Sequence, residues 1–370
     1  MAVYTTIDKP SDFFNVVLYT GNVDESSSNG SQAITGVGFQ PDWVWIKPRT
    51  LGYAAGSHNL TDSVRGAGKG LFSDLASAEY NYGTSANGGS VTAFGSDGFT
   101  LGGASQVNED SNTYVAWNWK AGTSFTNDAS STSIGTIDSA GSFNNDSGFS
   151  IVSYTGNNTS GATLKHGLNT APAMVILRSR NLTNNRDWVV YHQKLTSASY
   201  YIYLNTTGAM AGAYANFWNN TAPNSSVITL GSGDSTTNGN GDTYIAYCFA
   251  EKQGYSKFSS YTGNGNADGT FVYTGFRPAW IMQKSLTTTY GWQIYDNRRT
   301  GFNGDNDELL ANTNAAETDG SGNEFPDFLS NGFKLRNTDI NKNADGVTYI
   351  YMAFAENPFV TSTGVSPTAR

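Results

Sequence analysis

Short runs of alternating apolar and polar residues recur along the chain, separated by clusters of Gly, Asn, Asp and Ser, which predicts many short strands joined by tight turns. In Thr113-Tyr114-Val115-Ala116-Trp117-Asn118-Trp119, Tyr114, Ala116 and Asn118 share one face and Val115, Trp117 and Trp119 the other. A period of two with aromatics on one face predicts a half-buried strand in a two-layer packing. Asn87-Gly88, Asp97-Gly98, Asn238-Gly239, Asn331-Gly332 and Asp345-Gly346 are hairpin-type punctuation. Long amphipathic patterns are absent; only 305–316 suits a short helix.

The runs repeat in a fixed order. Tyr19-Thr20-Gly21-Asn22 recurs at 154–157 and 261–264, each time after a β-rich run. A Pro-led strand ending in a cation follows: Pro41 to Lys47, Pro172 to Arg178 and Pro278 to Lys284. Next come Asp187-Trp188-Val189-Val190-Tyr191-His192 and Gly291-Trp292-Gln293-Ile294-Tyr295-Asp296, with Asn59-Leu60-Thr61-Asp62 as the first copy's counterpart. Asp62 and Arg65 thereby match Asp296 and Arg299, while the second copy carries His192 in place of the acid. Ser96 to Leu101, Ser225 to Leu230 and Ser330 to Leu335 form a fourth block. The closing runs 113–119, 243–249 and 348–354 form a fifth.

This order predicts an N-terminal arm (1–13), repeats at 14–122, 148–251 and 257–356, linkers at 123–147 and 252–256, and a tail (357–370). Each repeat has the size of a sandwich domain with its own core. The polar first linker is expected to be flexible or to add a strand near 133–137, and the short second linker fixes copies two and three relative to each other. The first and last strands of each copy are expected to pair. The fold class is all-β: three tandem jelly-roll-like antiparallel β-sandwich domains, each of about eight strands.

Composition narrows the function. The 370 residues carry 21 Lys and Arg against 30 Asp and Glu, a net charge of −9, and no basic run, which argues against nucleic acid as a partner. No apolar stretch is long enough to span a membrane, and the polar first 15 residues show no secretory leader, so membrane insertion and secretion by that route are not expected. The lone cysteine, Cys248, sits in an apolar run and reads as a buried small hydrophobe. His58, His166 and His192 fall at non-equivalent repeat positions, which offers no zinc pattern and no nucleophile–base pattern. Gly66-Ala67-Gly68-Lys69-Gly70 fails the phosphate-loop pattern and reads as a turn. The acids lie mainly in turns, so no catalytic residue and no enzymatic activity are expected.

Two features remain as candidate sites. Asp339, Asn341, Asn343 and Asp345 place oxygens on alternate residues, as calcium loops do, although Ala344 and Ile350 stand where glycine and glutamate belong; calcium is the only cofactor this admits, against the default of a hairpin loop. Trp218 and Phe217, in an Asn-rich segment without a repeat counterpart, and nearby Tyr200, Tyr201 and Tyr214 are candidate ligand or interface residues if exposed on loops of a rigid sandwich.

The opening Met1 to Phe14, Gly36 to Lys47, Asp62-Ser63-Val64-Arg65-Gly66 and Trp117-Asn118-Trp119-Lys120-Ala121-Gly122 resemble uncharacterised structural proteins of marine tailed bacteriophages, of the cyanophage and pelagiphage type. The resemblance spans most of the chain and is weakest in copy two. It implies a virion component variously labelled tail fibre or hypothetical, and it brings no catalytic residues. The expectation is therefore a non-enzymatic structural protein, assembled in the host cytoplasm and exposed on the particle as a tail-fibre or adhesin-type component contacting host glycans. Its partners would be other virion proteins and copies of itself, a trimer among them. A capsid decoration protein and a secreted carbohydrate-binding protein are the alternatives.

Overall fold

Each repeat begins by pairing its opening strand, antiparallel, with its closing strand. In this computed structural model the pairs are Phe14–Thr20 with Thr113–Trp119, Phe149–Thr155 with Thr243–Phe249, and Ser256–Thr262 with Thr348–Pro358. The structure describes all residues except 1–3, 25–29, 52–55, 87, 182–185, 300–302, 304–305, 319–325 and 367–370. The Pro-led strands Trp43–Pro48, Met174–Ser179 and Phe276–Ser285 flank the closing strand on its other side, and Asn59–Asp62, Val189–His192 and Gln293–Asp296 follow outward. The spatial order opening, closing, Pro-led, third is the same in all three copies. A smaller antiparallel sheet lies over one face of each large sheet: Gln32–Thr35, Gly98–Leu101 and Val91–Gly95 in copy one, Ala162–Lys165 with Val227–Leu230 in copy two, and Phe271–Tyr273, Gly332–Lys334 and Asp327–Leu329 in copy three. The protein is thus an all-β assembly of sheet packed on sheet.

The Tyr-Thr-Gly-Asn repeat closes each sandwich. Its tyrosines Tyr19, Tyr154 and Tyr261 stack on Tyr114, Tyr244 and Tyr349 of the closing strands at 5.0, 4.9 and 5.0 Å between ring centroids. Its asparagine N–H groups at 22, 157 and 264 donate to the buried side-chain oxygens of Asn108, Asn238 and Asn343. The intervening glycine is required because a Cβ at Gly21, Gly156 or Gly263 would lie 2.1–2.4 Å from the backbone oxygen of Glu109, Gly239 or Ala344.

The closing strands are not half-buried. Tyr114 and Ala116 face the copy's own small sheet, while Val115, Trp117 and Trp119 face a core shared by all three copies. Ile245, Tyr247 and Phe249 of copy two, and Ile350, Met352 and Phe354 of copy three, enter the same core. Rings from different copies meet there: Trp43 lies 4.2 Å from Tyr247, Phe14 5.0 Å from Phe354, Trp119 5.8 Å from Trp280 and Phe249 6.0 Å from Phe354. The large sheets therefore form a middle layer between three outer sheets and one centre, because both of their faces are apolar.

The linkers join this body. Segment 123–147 contributes Thr123–Asn127 and Ser139–Asn144 to the edge of the copy-two sheet, not a strand at 133–137, where Ile137 alone bridges Leu164. Tyr255, in the second linker, is buried in the shared core. The N-terminal arm docks on copy three through Tyr4, whose hydroxyl donates to the Gly275 carbonyl, and on the second linker through Thr5, which donates to the Gln253 carbonyl. The described part of 305–316 is extended and not helical: Leu309–Leu310 pairs with the Gln293–Asp296 strand and buries Leu309.

The copies contact one another cyclically. At the junction of copies three and one, the Trp117 indole donates to Asp296 (3.0 Å), Asp296 pairs with Arg299 (2.7 Å), Arg299 with Glu317 (2.6 Å), and Glu317 with Arg49 (2.7 Å). At the junction of copies one and two the Tyr247 hydroxyl donates to Asp62 (2.8 Å), and the chain continues through Arg65 (2.5 Å), Glu79 (3.2 Å) and Arg180 (3.0 Å). The third junction holds Met352, His192, Leu195, Met210 and Leu286 at the five equivalent positions, all in or against the shared core except His192. The backbone equivalence is direct: Glu317 N–H donates to the Arg49 carbonyl, Glu79 to Arg180 and Met210 to Leu286, each at 2.8 Å. Four of the five positions that carry the ionic relay at the other junctions are apolar here, and the fifth, His192, is a buried imidazole that faces the Tyr351 carbonyl at 3.2 Å.

Removing one partner of a buried ion pair strands the other charge, whereas replacing the whole set with apolar residues is near neutral. Arg65→Leu alone is therefore expected to cost about 3–5 kcal/mol in urea unfolding. Adding Asp62→His, Glu79→Met, Arg180→Leu and Tyr247→Met, which rebuilds the residue set of the third junction, is expected to recover most of that loss. A quintuple variant no more stable than the single one contradicts the equivalence.

Candidate functional site

The three histidines have every ring nitrogen engaged. Trp45 Nε1 donates to His58 Nδ1 at 2.7 Å, and His58 Nε2 lies 3.0 Å from the Leu310 carbonyl, which fixes it as the protonated nitrogen. The Leu168 and Lys194 N–H groups donate likewise to Nδ1 of His166 and His192, whose Nε2 atoms face the Asn224 and Tyr351 carbonyls. His58 occupies the position of Trp188 and Trp292, whose indoles donate to the carbonyls of Phe72 and Tyr203 in the neighbouring copy. Burial holds His58 well below the ordinary imidazole value, and His166 and His192 down at about 4. These are neutral cross-links between segments. Burial likewise pushes the Cys248 thiol up to about 12, in keeping with a small buried hydrophobe.

The cations ending the Pro-led strands are also structural. Lys47 donates to the Ala315 carbonyl, Arg178 to Ser77 and Lys284 to Thr207, each in the neighbouring copy. Desolvation lowers Lys47 and Lys284 to about 8 and Arg178 to about 10.

The loop aromatics of copy two are placed differently from expectation. Trp218 and Phe217 are 1 % exposed and sit on a short helix, Ala215–Trp218, inside the copy-two core, so they offer no surface to a ligand. The reason is local: the helical turn swings both rings under the small sheet, where Trp218 meets Tyr191 at 6.0 Å. Tyr201 and Tyr214 edge onto Phe217 at 4.6 and 4.8 Å, half-buried, and Tyr200 packs against the shared core.

In the segment read as a calcium loop, Asn343 and Asp339 are engaged within the protein, while Asp345 is exposed. Asn343 is fully buried, and its amide donates to the carbonyls of Asn266 and Asn337. Asp339 accepts from Asn341 N–H and pairs with Lys342 at 3.0 Å. Asn343 is the third copy of the asparagine hub formed by Asn108 and Asn238, which is why oxygen-bearing residues recur there. Among the described residues no group of three or more His, Cys, Asp or Glu converges as metal ligands do.

Two surface grooves formed by described residues are large enough to hold a small molecule. One, of about 620 Å³ on copy two, is lined by Asp128, Asp138 and Arg180 among Ser and Thr residues. Its charges are engaged: Asp128 caps the Ser130 and Ser131 N–H groups, Asp138 accepts from Ala129, and Arg180 holds Glu79. The other, of about 350 Å³ on copy one, lies between Tyr80, Asn81 and Tyr82 and the turn carrying Ala104, Gln106 and Glu109. Tyr80 is 57 % exposed, and its ring stands 4.5 Å from that of Tyr82. Tyr82 N–H donates to the Gly68 carbonyl, and the Tyr80–Asn81 strand pairs with Lys69–Gly70, which holds both rings at the rim. Copy two covers the equivalent turn with its own side chain: Tyr214 donates to Asp234 at 2.7 Å, and Asp234 precedes Ser235–Asn238 as Ala104 precedes Ser105–Asn108. The sequence signal for the groove was Tyr80-Asn81-Tyr82-Gly83, two aromatics at spacing two before a glycine, in the stretch between the repeat's third and fourth blocks.

A family model described as Domain of unknown function (DUF7483) matches residues 9–358, all three repeats as one unit. No curated protein and no solved structure matches the chain.

Between pH 6.5 and about 4 the unfolded chain binds protons at positions 166 and 192 that the folded chain does not, so stability falls as the pH drops through that window. His192→Gln is expected to flatten the pH dependence of urea unfolding by up to about 1.4 kcal/mol per pH unit. An unchanged slope contradicts the buried neutral assignment.

Proposed function

Starting from the chain's membership of the DUF7483 family, which its model covers over residues 9–358, we propose that it is a non-enzymatic virion structural protein displayed on a phage particle as a tail-fibre or adhesin-type component contacting host glycans. The observation that carries this reading is the shared core. Three sandwiches locked around one aromatic centre form a single body that holds three outer sheets and their loops in fixed directions. Charged and polar groups of the kind that do chemistry elsewhere, Asp62, Arg65, Glu79, His58, His192 and Lys47, are engaged in junctions between copies. Binding residues placed on loops of such a scaffold need no moving part. The sequence resemblance to marine phage structural proteins supplies the particle.

Capsid decoration is the second reading, favoured by the pseudo-threefold arrangement. A chain that presents three similar faces matches sites of threefold symmetry without forming a trimer of its own.

Quantitative mass spectrometry of purified particles of the encoding phage tests both. Tail display predicts the chain in the particle at a few copies, and decoration predicts it in proportion to the major capsid protein. Absence from purified particles contradicts the virion assignment.

A further inference from the structure

We propose that the copy-one groove between Tyr80 and Glu109 is a saccharide-binding site, the place where the glycan contact proposed above is made; the inference rests on that reading. A pyranose presents an apolar C–H face and a rim of hydroxyls. A site for it needs an exposed aromatic face beside planar polar side chains that accept and donate in one plane. Tyr80 supplies the face: it is the most exposed tyrosine among the described large apolar residues, and Tyr82 buttresses it at 4.5 Å. Across the groove, Gln106 and Glu109 line the wall and Asn81 the rim. The Asn81 side-chain oxygen already accepts from Gly83 N–H at 3.2 Å, which orients its amide N–H₂. The floor is made of Gly103 and Ala104, small residues that let a ring approach the backbone. A volume of about 350 Å³ sits at the lower end of small-molecule sites, which suits one sugar ring or two.

Internal comparison favours this groove over its neighbours. In copy two Ala211 stands in the register of Tyr80, since Tyr201 bridges Ala211 as Gly70 pairs with Tyr80. There the equivalent turn is covered by the Tyr214–Asp234 pair, with Arg186 at 3.6 Å from the carboxylate. The larger groove on copy two has acids and a guanidinium already engaged, and its one aromatic, Tyr154, is only 5 % exposed. Of these two grooves, the one on copy one is the one rimmed by an exposed aromatic ring.

The test is saturation-transfer NMR on the full chain with the methyl glycosides of glucose, galactose and N-acetylglucosamine as probes. At least one is expected to receive saturation from the wild-type protein. Tyr80→Ala is expected to weaken it about fivefold or more, as loss of an aromatic contact does. Gln106→Ala is expected to weaken it less, and Tyr273→Ala, at another exposed tyrosine, to leave it unchanged. Equal saturation in Tyr80→Ala and wild type overturns the groove assignment while host-glycan contact elsewhere on the chain stands. No saturation of any probe also overturns it, and a glycan array run on the wild-type chain then decides whether the glycan reading falls with it.

Discussion

The structure depends on the inner faces of three large sheets having nowhere to go but onto one another. Each closing strand carries an apolar triplet on that face: Val115, Trp117 and Trp119; Ile245, Tyr247 and Phe249; Ile350, Met352 and Phe354. The opposite face of each strand is already covered by the copy's own small sheet. A single repeat in water would expose a patch of tryptophan, tyrosine and phenylalanine far larger than isolated domains tolerate. Burying one such ring is worth on the order of 1.5–3 kcal/mol, so mutual burial of three faces outweighs any single polar contact in the chain. It also explains how three sandwiches manage without a disulfide.

A shared apolar centre does not say which edge meets which, because hydrophobic burial is non-directional. The junctions supply direction. Two carry an Asp–Arg–Glu–Arg relay with a Trp or Tyr donor, and the third carries Met352, His192, Leu195, Met210 and Leu286. A half-relay facing an apolar half would leave buried charge unpaired, which makes the cyclic order one, two, three the favoured arrangement. The same logic accounts for His58 standing where Trp188 and Trp292 stand: it satisfies the neighbouring carbonyl as an indole does, while accepting from Trp45.

Much of this was legible in the residues. The repeated Tyr-Thr-Gly-Asn and the five ordered blocks located the strands, and the pairing of opening with closing strands followed from their shared apolar character. The matched Asp–Arg pairs at 62 and 65 and at 296 and 299, with His192 as the exception, were visible as pattern, though not as junction chemistry. The common core was missed because the period-two argument assigned one face of each strand to solvent. Tyr114 and Ala116 are buried as fully as Val115 and Trp117, and burial on both faces is the mark of a middle layer. Trp218 and Phe217 were misplaced because a four-residue helix reverses which way a ring points, and the Asn-rich flanks gave no hint of it. Asn343 was read as an oxygen donor to a cation, whereas its oxygen accepts from Asn264 N–H and its amide donates to two carbonyls, contacts across the fold that the local sequence does not show. Tyr80-Asn81-Tyr82-Gly83 marks one wall of the groove in the sequence, but its meeting with 104–109 is a long-range contact that no local pattern carries.

The central claim is that the three repeats share one core and therefore unfold together. Native-state hydrogen exchange on the closing strands 113–119, 243–249 and 348–354 tests it most directly, because each strand lies at the heart of its own repeat. The account predicts that the slowest amides of all three exchange with one common free energy, equal to that of global unfolding, and respond alike to added denaturant. Three distinct exchange energies, with one strand opening while the others stay protected, would contradict it.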